Sequence, residues 1–281
     1  MPFINKDTNY DLAISFLTPH YIVSHKVNAK KKIAWIHTDY GHEQTVIESQ
    51  LNMWVSYDYI ASISQAVTTN FLKNFPQLKD KIIEIPNILP IKLISKQADD
   101  FDVSNEMIDD DSIKLLSIGR YCEAKNFDNV PFICKRILEL GLNVKWYIIG
   151  YGGDEERIKK SITECHMEDH AILLGKKSNP YPYIKACDVY VQPSRYEGKC
   201  VSVIEAQSLH KPVIITNYPT AKSQLKDGYD GLIVPLENEE CALGIYNTIT
   251  NKELLRTISE NTYKSDYSNY DTDDLIQLLE R

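Results

Sequence analysis

The stretch Ser194-Arg195-Tyr196-Glu197-Gly198-Lys199-Cys200-Val201-Ser202-Val203-Ile204-Glu205-Ala206 follows a short apolar run at 189–192 and leads into a helical pattern. Apolar run, turn and helix together make one βα unit, and the neighbouring sequence repeats the unit. From Ser112 onward, Ile- and Val-rich runs at 113–118, 144–149, 171–174, 189–192, 212–216 and 231–234 alternate with helical patterns, the signature of a parallel sheet. Between the first two runs Val130, Ile133, Ile137 and Leu140 recur three or four residues apart, which places them on one helix face. The expectation is a Rossmann-like half of five or six units.

Upstream the alternation continues, with strands expected at 12–17, 32–36, 59–64 and 82–85 and a helix over 43–55. This second α/β half is shorter, and the chain enters it almost inside a strand, so the half is expected to be incomplete. The domain plan is then 1–90 as a partial Rossmann-like domain, 91–111 as a linker, 112–262 as the second domain and 263–281 as a tail. The linker assignment rests on 97–111, which is acidic and poor in large apolar residues. The tail is expected to carry a last short helix over 273–279.

Composition narrows the classes of function. In 281 residues, 43% hydrophobic and 25% charged residues describe an ordinary globular protein with enough apolar side chains for a packed core. A net charge of -8 argues against nucleic acid as a partner, since phosphate backbones are met by clustered Lys and Arg. Cys122, Cys134, Cys165, Cys187, Cys200 and Cys241 form no CxxC pair, so neither a zinc site nor a disulfide framework is expected. No run reaches the roughly 18 apolar residues of a membrane span. The expected location is cytoplasmic, peripheral at most.

The two glutamates of the opening stretch, Glu197 and Glu205, are separated by seven residues. With Ser117-Ile118-Gly119-Arg120 and Lys125, Ile149-Gly150-Tyr151-Gly152-Gly153, Leu174-Gly175, Ala186-Cys187-Asp188-Val189 and Asp227-Gly228-Tyr229-Asp230-Gly231, the chain resembles the retaining glycosyltransferases with two facing Rossmann-like domains. These are the group 1 glycosyltransferases of family 4, with GT-B architecture. The resemblance implies an α/β fold with an N-terminally incomplete acceptor domain, and a nucleotide-sugar bound by the C-terminal half.

The resemblance also implies roles. Arg120 and Lys125 would clamp the diphosphate, Arg as a fork and Lys as a point charge. Gly198, Lys199, Cys200 and Val201 would lead their backbone N–H groups to a helix N-terminus, where the macrodipole favours an anion. Glu205 would hold the ribose. Glu197 would contact the sugar near the reacting carbon, and His37, at the end of a strand, would orient the sugar from the other half. The implied reaction moves a hexose from a UDP- or GDP-sugar to a glycan or lipid-linked acceptor in cell-surface polysaccharide synthesis, with retention and without a metal cofactor. Lys199 and Cys200 depart from the Phe-Gly common at these places, which bears on pocket shape and donor preference.

Other features are given plainer readings. Asp109-Asp110-Asp111 and Asp271-Thr272-Asp273 match the Asp-x-Asp of metal-dependent transferases, but the first lies in the linker and the second in the tail, so no metal is assigned. Gly150–Gly153 reads as a strand-to-helix turn. The basic segment from His25 to Lys32 reads as a solvated loop, with the inner membrane face as a second reading. An incomplete first half would expose an apolar sheet edge, for which a partner chain or self-association is the expected cover. Two rival functions remain: a nucleotide-sugar epimerase of the same architecture, and a remnant or subunit that binds a nucleotide-sugar without transfer.

Overall fold

The structure, a computed structural model, describes residues 2–16, 19–37, 40, 47–87, 89–265 and 267, with 47–49 described by backbone alone. The chain divides into two compact units, Met1–Ile88 and Leu89–Asn269. Both are α/β with parallel sheets.

The first unit runs β1 (Tyr10–Ser15), α1 (Tyr21–Lys26), β2 (Ala29–Ile36), α2 (Ile47–Val55), β3 (Tyr59–Ser62), α3 (Gln65–Asn74) and β4 (Ile82–Glu84). Its four strands pair in chain order. Ile33, Ala34, Ile36 and Ile60 from the strands, with Trp54 and Phe71 from the helices and Phe75 just after α3, form a fully buried core. Ser64 starts α3, its hydroxyl accepting from the Val67 N–H at 3.3 Å. Strand β2 begins three residues before its expected start. Lys30 to Lys32 lie in it rather than in a loop, because backbone pairing holds Ala29 to Tyr10 and Lys31 to Leu12. Lys30 meets Asp11 at 2.6 Å, and the Lys32 ammonium donates to the Ser24 carbonyl at 2.8 Å.

The second unit continues with α4 (Ile91–Gln97), β5 (Ile113–Ile118), α5 (Val130–Glu139), β6 (Val144–Ile149), α6 (Glu155–Cys165), β7 (Ala171–Gly175), α7 (Tyr181–Ala186), β8 (Val189–Gln192), α8 (Val201–Ser208), β9 (Val213–Thr216), α9 (Ala221–Gln224), β10 (Leu232–Val234), α10 (Asn238–Thr250) and α11 (Lys252–Lys264). Its strand order is β10-β9-β8-β5-β6-β7. Numbered from β5, this is the 3-2-1-4-5-6 order of the dinucleotide-binding fold, and the order reverses between β5 and β8.

Side-chain alternation sorts each strand onto two cores. Leu115, Trp146, Ile148, Val189 and Ile214 face Val130, Ile133 and Ile137 of α5 and Ile245 of α10. Leu116, Tyr147, Ile149, Tyr190 and Ile215 face Tyr183 of α7 and Val203 and Ala206 of α8. Val130, Ile133 and Ile137 of the spacing read from the sequence are therefore a core face, whereas Leu140 caps α5 outside that cluster; Ile133→Ala is expected to cost about 2–5 kcal/mol.

The acidic stretch 97–111 differs from the expected linker. Val103 and Met107 are buried in the second core, and Phe101 packs edge-on to Tyr183 at 6.1 Å. The carboxylates there have partners within the second unit: Glu106 meets Lys177 and the Tyr183 hydroxyl, Asp109 meets Lys114, and Asp110 meets Lys145. Apolar anchors and ion pairs together fix the stretch to the second unit. The expected tail helix and Asp271-Thr272-Asp273 lie outside the described residues.

Glycine is required where the loops after β5 and β6 meet. A Cβ on Gly150 would lie 1.9 Å from the Gly119 carbonyl oxygen, and one on Gly152 would lie 2.3 Å from that of Tyr121. Gly150–Gly153 is thus a packed strand-to-helix turn that supports the β5 loop.

Candidate functional site

Open α/β sheets bind ligands beyond the carboxyl ends of their strands where the strand order reverses. Here that point lies between β5 and β8, and the loops that leave these two strands carry Arg120, Lys125 and Glu197. Lys125 ends a short 3-10 turn, Glu123–Lys125, and its ammonium meets Glu197 Oε1 at 2.6 Å. Both side chains are nearly covered, at 16% and 11% exposure. The Arg195 N–H donates to the Ala124 carbonyl at 2.8 Å, and the Arg195 guanidinium grips both oxygens of Asp128 at 3.1 Å each. These contacts fasten the β8 loop to the β5 loop.

Burial works against the Lys125 charge, but Cys200 and then Glu197 outweigh it, and the lysine pKa is raised above its ordinary value. The Cys200 thiol, 3.8 Å from the ammonium, is itself pushed up by burial. Near neutral pH that thiol is uncharged, so Glu197 is the anion that holds Lys125.

A buried chain of polar side chains aims Glu197. The Tyr190 hydroxyl accepts from the Ile118 N–H at 3.2 Å and reaches Gln192 Oε1 and Ser202 Oγ, each at 2.8 Å. Gln192 Nε2 donates to Ser194 Oγ at 2.9 Å, and Ser194 Oγ donates to Glu197 Oε1 at 2.6 Å. Gln192 and Ser194 are fully buried. A connected buried network of this kind holds a side chain in one orientation.

Helix α8 begins beside this pair. Its cap, Cys200, has φ -78 and ψ 107, extended backbone open to any residue, so the cysteine in place of glycine causes no strain there. The Cys200 N–H, expected to be available to a ligand, instead donates to Gln224 Oε1 at 2.7 Å. In the second turn Glu205 Oε1 accepts from the Tyr181 hydroxyl at 3.0 Å. Burial pushes the Glu205 carboxyl above the ordinary carboxylate range, the Tyr181 bond acting the other way. Tyr181 is in turn pushed up to about 12, by burial first and the Glu205 charge second.

The structure thus brings Lys125, Glu197, Gly198, Cys200, Val201 and Glu205 to one end of the second sheet. Lys199 lies in the same turn, half-buried. Arg120 is on the same β5 loop, exposed and without an ion pair among the described residues. His37 belongs to the first unit, directly after β2, where its ring lies 4.4 Å from Phe16 and 5.9 Å from Trp35. Burial lowers its pKa, and its Nε2 has no hydrogen-bond partner among the described residues. A neutral imidazole with a free nitrogen can donate or accept a hydrogen bond.

Sequence reasoning missed Tyr190, Gln192, Tyr181, Thr220 and Gln224, and gave Ser194 no role. A polar Gln192 at the end of an apolar strand was a signal, because buried polar residues need partners.

Two parallel α/β units, the second with Rossmann strand order, define a protein of GT-B type, and solved structures agree. Anabaena HepE in complex with UDP and glucose has a TM-score of 0.80 at 18% identity, covering 96% of this chain and 77% of that one. Residues 99–265 match the family described as Glycosyl transferases group 1, and the chain belongs to this family. An uncharacterised glycosyltransferase of Methanocaldococcus jannaschii is 29% identical over 257 residues, 83% of this chain and 62% of that protein. The N-acetylgalactosamine-N,N'-diacetylbacillosaminyl-diphospho-undecaprenol 4-alpha-N-acetylgalactosaminyltransferase of Campylobacter jejuni is 25% identical over 210 residues, 74% of this chain and 55% of that protein. The chain therefore spans less than two thirds of the length of these two relatives.

Proposed function

We propose that this chain binds a nucleoside diphosphate sugar through its second unit and transfers a hexose from it, with retention, to a glycan or lipid-linked acceptor in cell-surface polysaccharide synthesis. The observation that carries the reading is the Lys125–Glu197 pair at the switch point, beside the first turn of α8. A lysine has three N–H donors, so Lys125 can keep Glu197 and still turn to phosphate oxygens. Arg120 and the N–H groups that open α8 complete an anion site, and together these groups take up the charge that grows on the departing diphosphate. Glu197 then offers its other oxygen to a sugar hydroxyl and, as an anion, favours positive charge at the anomeric carbon. Glu205 accepts from the ribose hydroxyls.

With these cations in place, no divalent ion is needed to neutralise the diphosphate in this reading. His37 in the first unit is proposed to orient the sugar. No described helix is long and apolar enough to cross a membrane. A lipid-linked acceptor would then be met at the inner membrane face.

The test is thermal shift with UDP, GDP and their sugars, followed by a transfer assay with whichever donor binds. A nucleoside diphosphate that binds only the folded state raises the melting temperature by mass action. No shift with any of them at millimolar concentration overturns the reading. Donor turnover without an acceptor would point to an epimerase instead.

A further inference from the structure

The turn that runs from Glu197 to Cys200 is held from behind by the segment that follows β9. Thr220 Oγ1 donates to the Glu197 carbonyl at 2.7 Å. Gln224, on α9, accepts from the Cys200 N–H at 2.7 Å, and its Nε2 donates back to the Cys200 carbonyl at 3.3 Å. Thr220 and Gln224 are 2% and 7% exposed. Both ends of the turn are therefore gripped by one element, which Ala221 and Leu225 anchor in the second core.

A carboxamide carries a donor and an acceptor on one planar group, so it can satisfy both backbone groups of a single residue, as a neighbouring strand would. That fixes the plane of the peptide on either side of Cys200. It also decides which amides remain for a ligand: the Cys200 N–H is taken, whereas those of Val201 and Ser202, next in line, point along the start of α8.

We propose that Gln224, assisted by Thr220, is a positioning residue for phosphate recognition, setting the direction of the first α8 amides and of Glu197. This rests on the donor-binding reading above. Gln224 acts through the turn and touches no reacting atom, so its loss changes how the site reads phosphate while leaving its hold on the nucleoside intact.

The experiment compares the parent with Gln224→Met, similar in size but unable to pair with Cys200, and with Thr220→Val. Affinities for UDP and uridine, and for GDP and guanosine, are measured by calorimetry or ligand-observed NMR, using the pair that binds the parent. The expected result is at least a tenfold loss of nucleoside diphosphate affinity, nucleoside affinity within twofold, and faster hydrogen exchange at the Cys200 amide in Gln224→Met. Equal losses for nucleotide and nucleoside, or no loss, overturn the inference. If Gln224→Met does not fold, Thr220→Val carries the same comparison. A parent that binds neither nucleotide defeats the functional reading itself, an outcome distinct from a parent that binds and a variant that keeps its selectivity.

Discussion

The Tyr181 hydroxyl, at the start of α7, donates to Glu205 Oε1 in the second turn of α8 across 3.0 Å. One carboxylate oxygen is thereby occupied and the other left for a ligand. Glu205→Ala is expected to weaken nucleotide binding by about 1–3 kcal/mol, the scale of charge-assisted hydrogen bonds. Calorimetry with UDP or GDP checks this, and unchanged affinity removes the ribose role.

Glu205→Gln separates binding from stability. Burial raises the folded-state pKa of Glu205, so the native state binds the proton more tightly than the unfolded chain. Stability tied to this group is present at low pH and falls as pH rises from the unfolded value through the folded one. The amide removes that penalty. Melting curves should show Glu205→Gln gaining on the parent at pH 7.5 relative to pH 4.5, although nucleotide binding is weakened.

The Lys125–Glu197 pair predicts non-additive losses. Lys125→Met leaves a nearly covered carboxylate without its cation, for which about 3–5 kcal/mol of destabilisation is expected. Adding Glu197→Gln should recover most of that stability and none of the nucleotide affinity. Denaturant melts on the two single variants and the double variant form the cycle. Simple addition of the single losses would show that the pair is not coupled.

His20 should make the first unit acid-sensitive. Burial first, then the charge of His37, lowers its pKa from 6.5 to about 4, against a backbone bond at Ser15. The folded state therefore binds fewer protons than the unfolded chain. Stability from neutral His20 is complete above pH 6.5 and is lost as pH falls toward 4, by roughly 2–3 kcal/mol. His20→Gln should flatten the pH dependence over that window, and an equally steep profile in the variant would assign the acid loss elsewhere.

Chelation supplies the last test. If Arg120, Lys125 and the opening of α8 neutralise the diphosphate, EDTA leaves donor affinity within about twofold. Loss of binding on adding EDTA, restored by manganese, would require a metal-bridged diphosphate instead.

Legibility followed burial. Strands β5, β6 and β8 coincide with the expected runs because strands covered on both faces are apolar along most of their length. Strand β2 was read short because Lys30 to Lys32 carry no hydrophobic signal, and their place is set by pairing with β1. The stretch 97–111 differs from the expected linker because its few buried apolar side chains, Ala98, Val103 and Met107, are surrounded by acidic side chains whose partners lie up to 86 residues away. In the site, Glu197 and Glu205 were visible as one spaced pair. Gln224 was not, since a glutamine acquires meaning there only when folding brings it to Cys200, 24 residues earlier in the chain.

The contact between Gly150 and the Gly119 carbonyl bears on how such a protein can be redesigned. Two loops 31 residues apart occupy what amounts to one van der Waals volume, with 1.9 Å left where a methyl group would go. A library that varies 150–152 alone would therefore select mostly for relief of a clash, and any survivor would carry a displaced Gly119 and with it a shifted Arg120. Residues 119–121 and 150–152 are therefore to be varied as a single block.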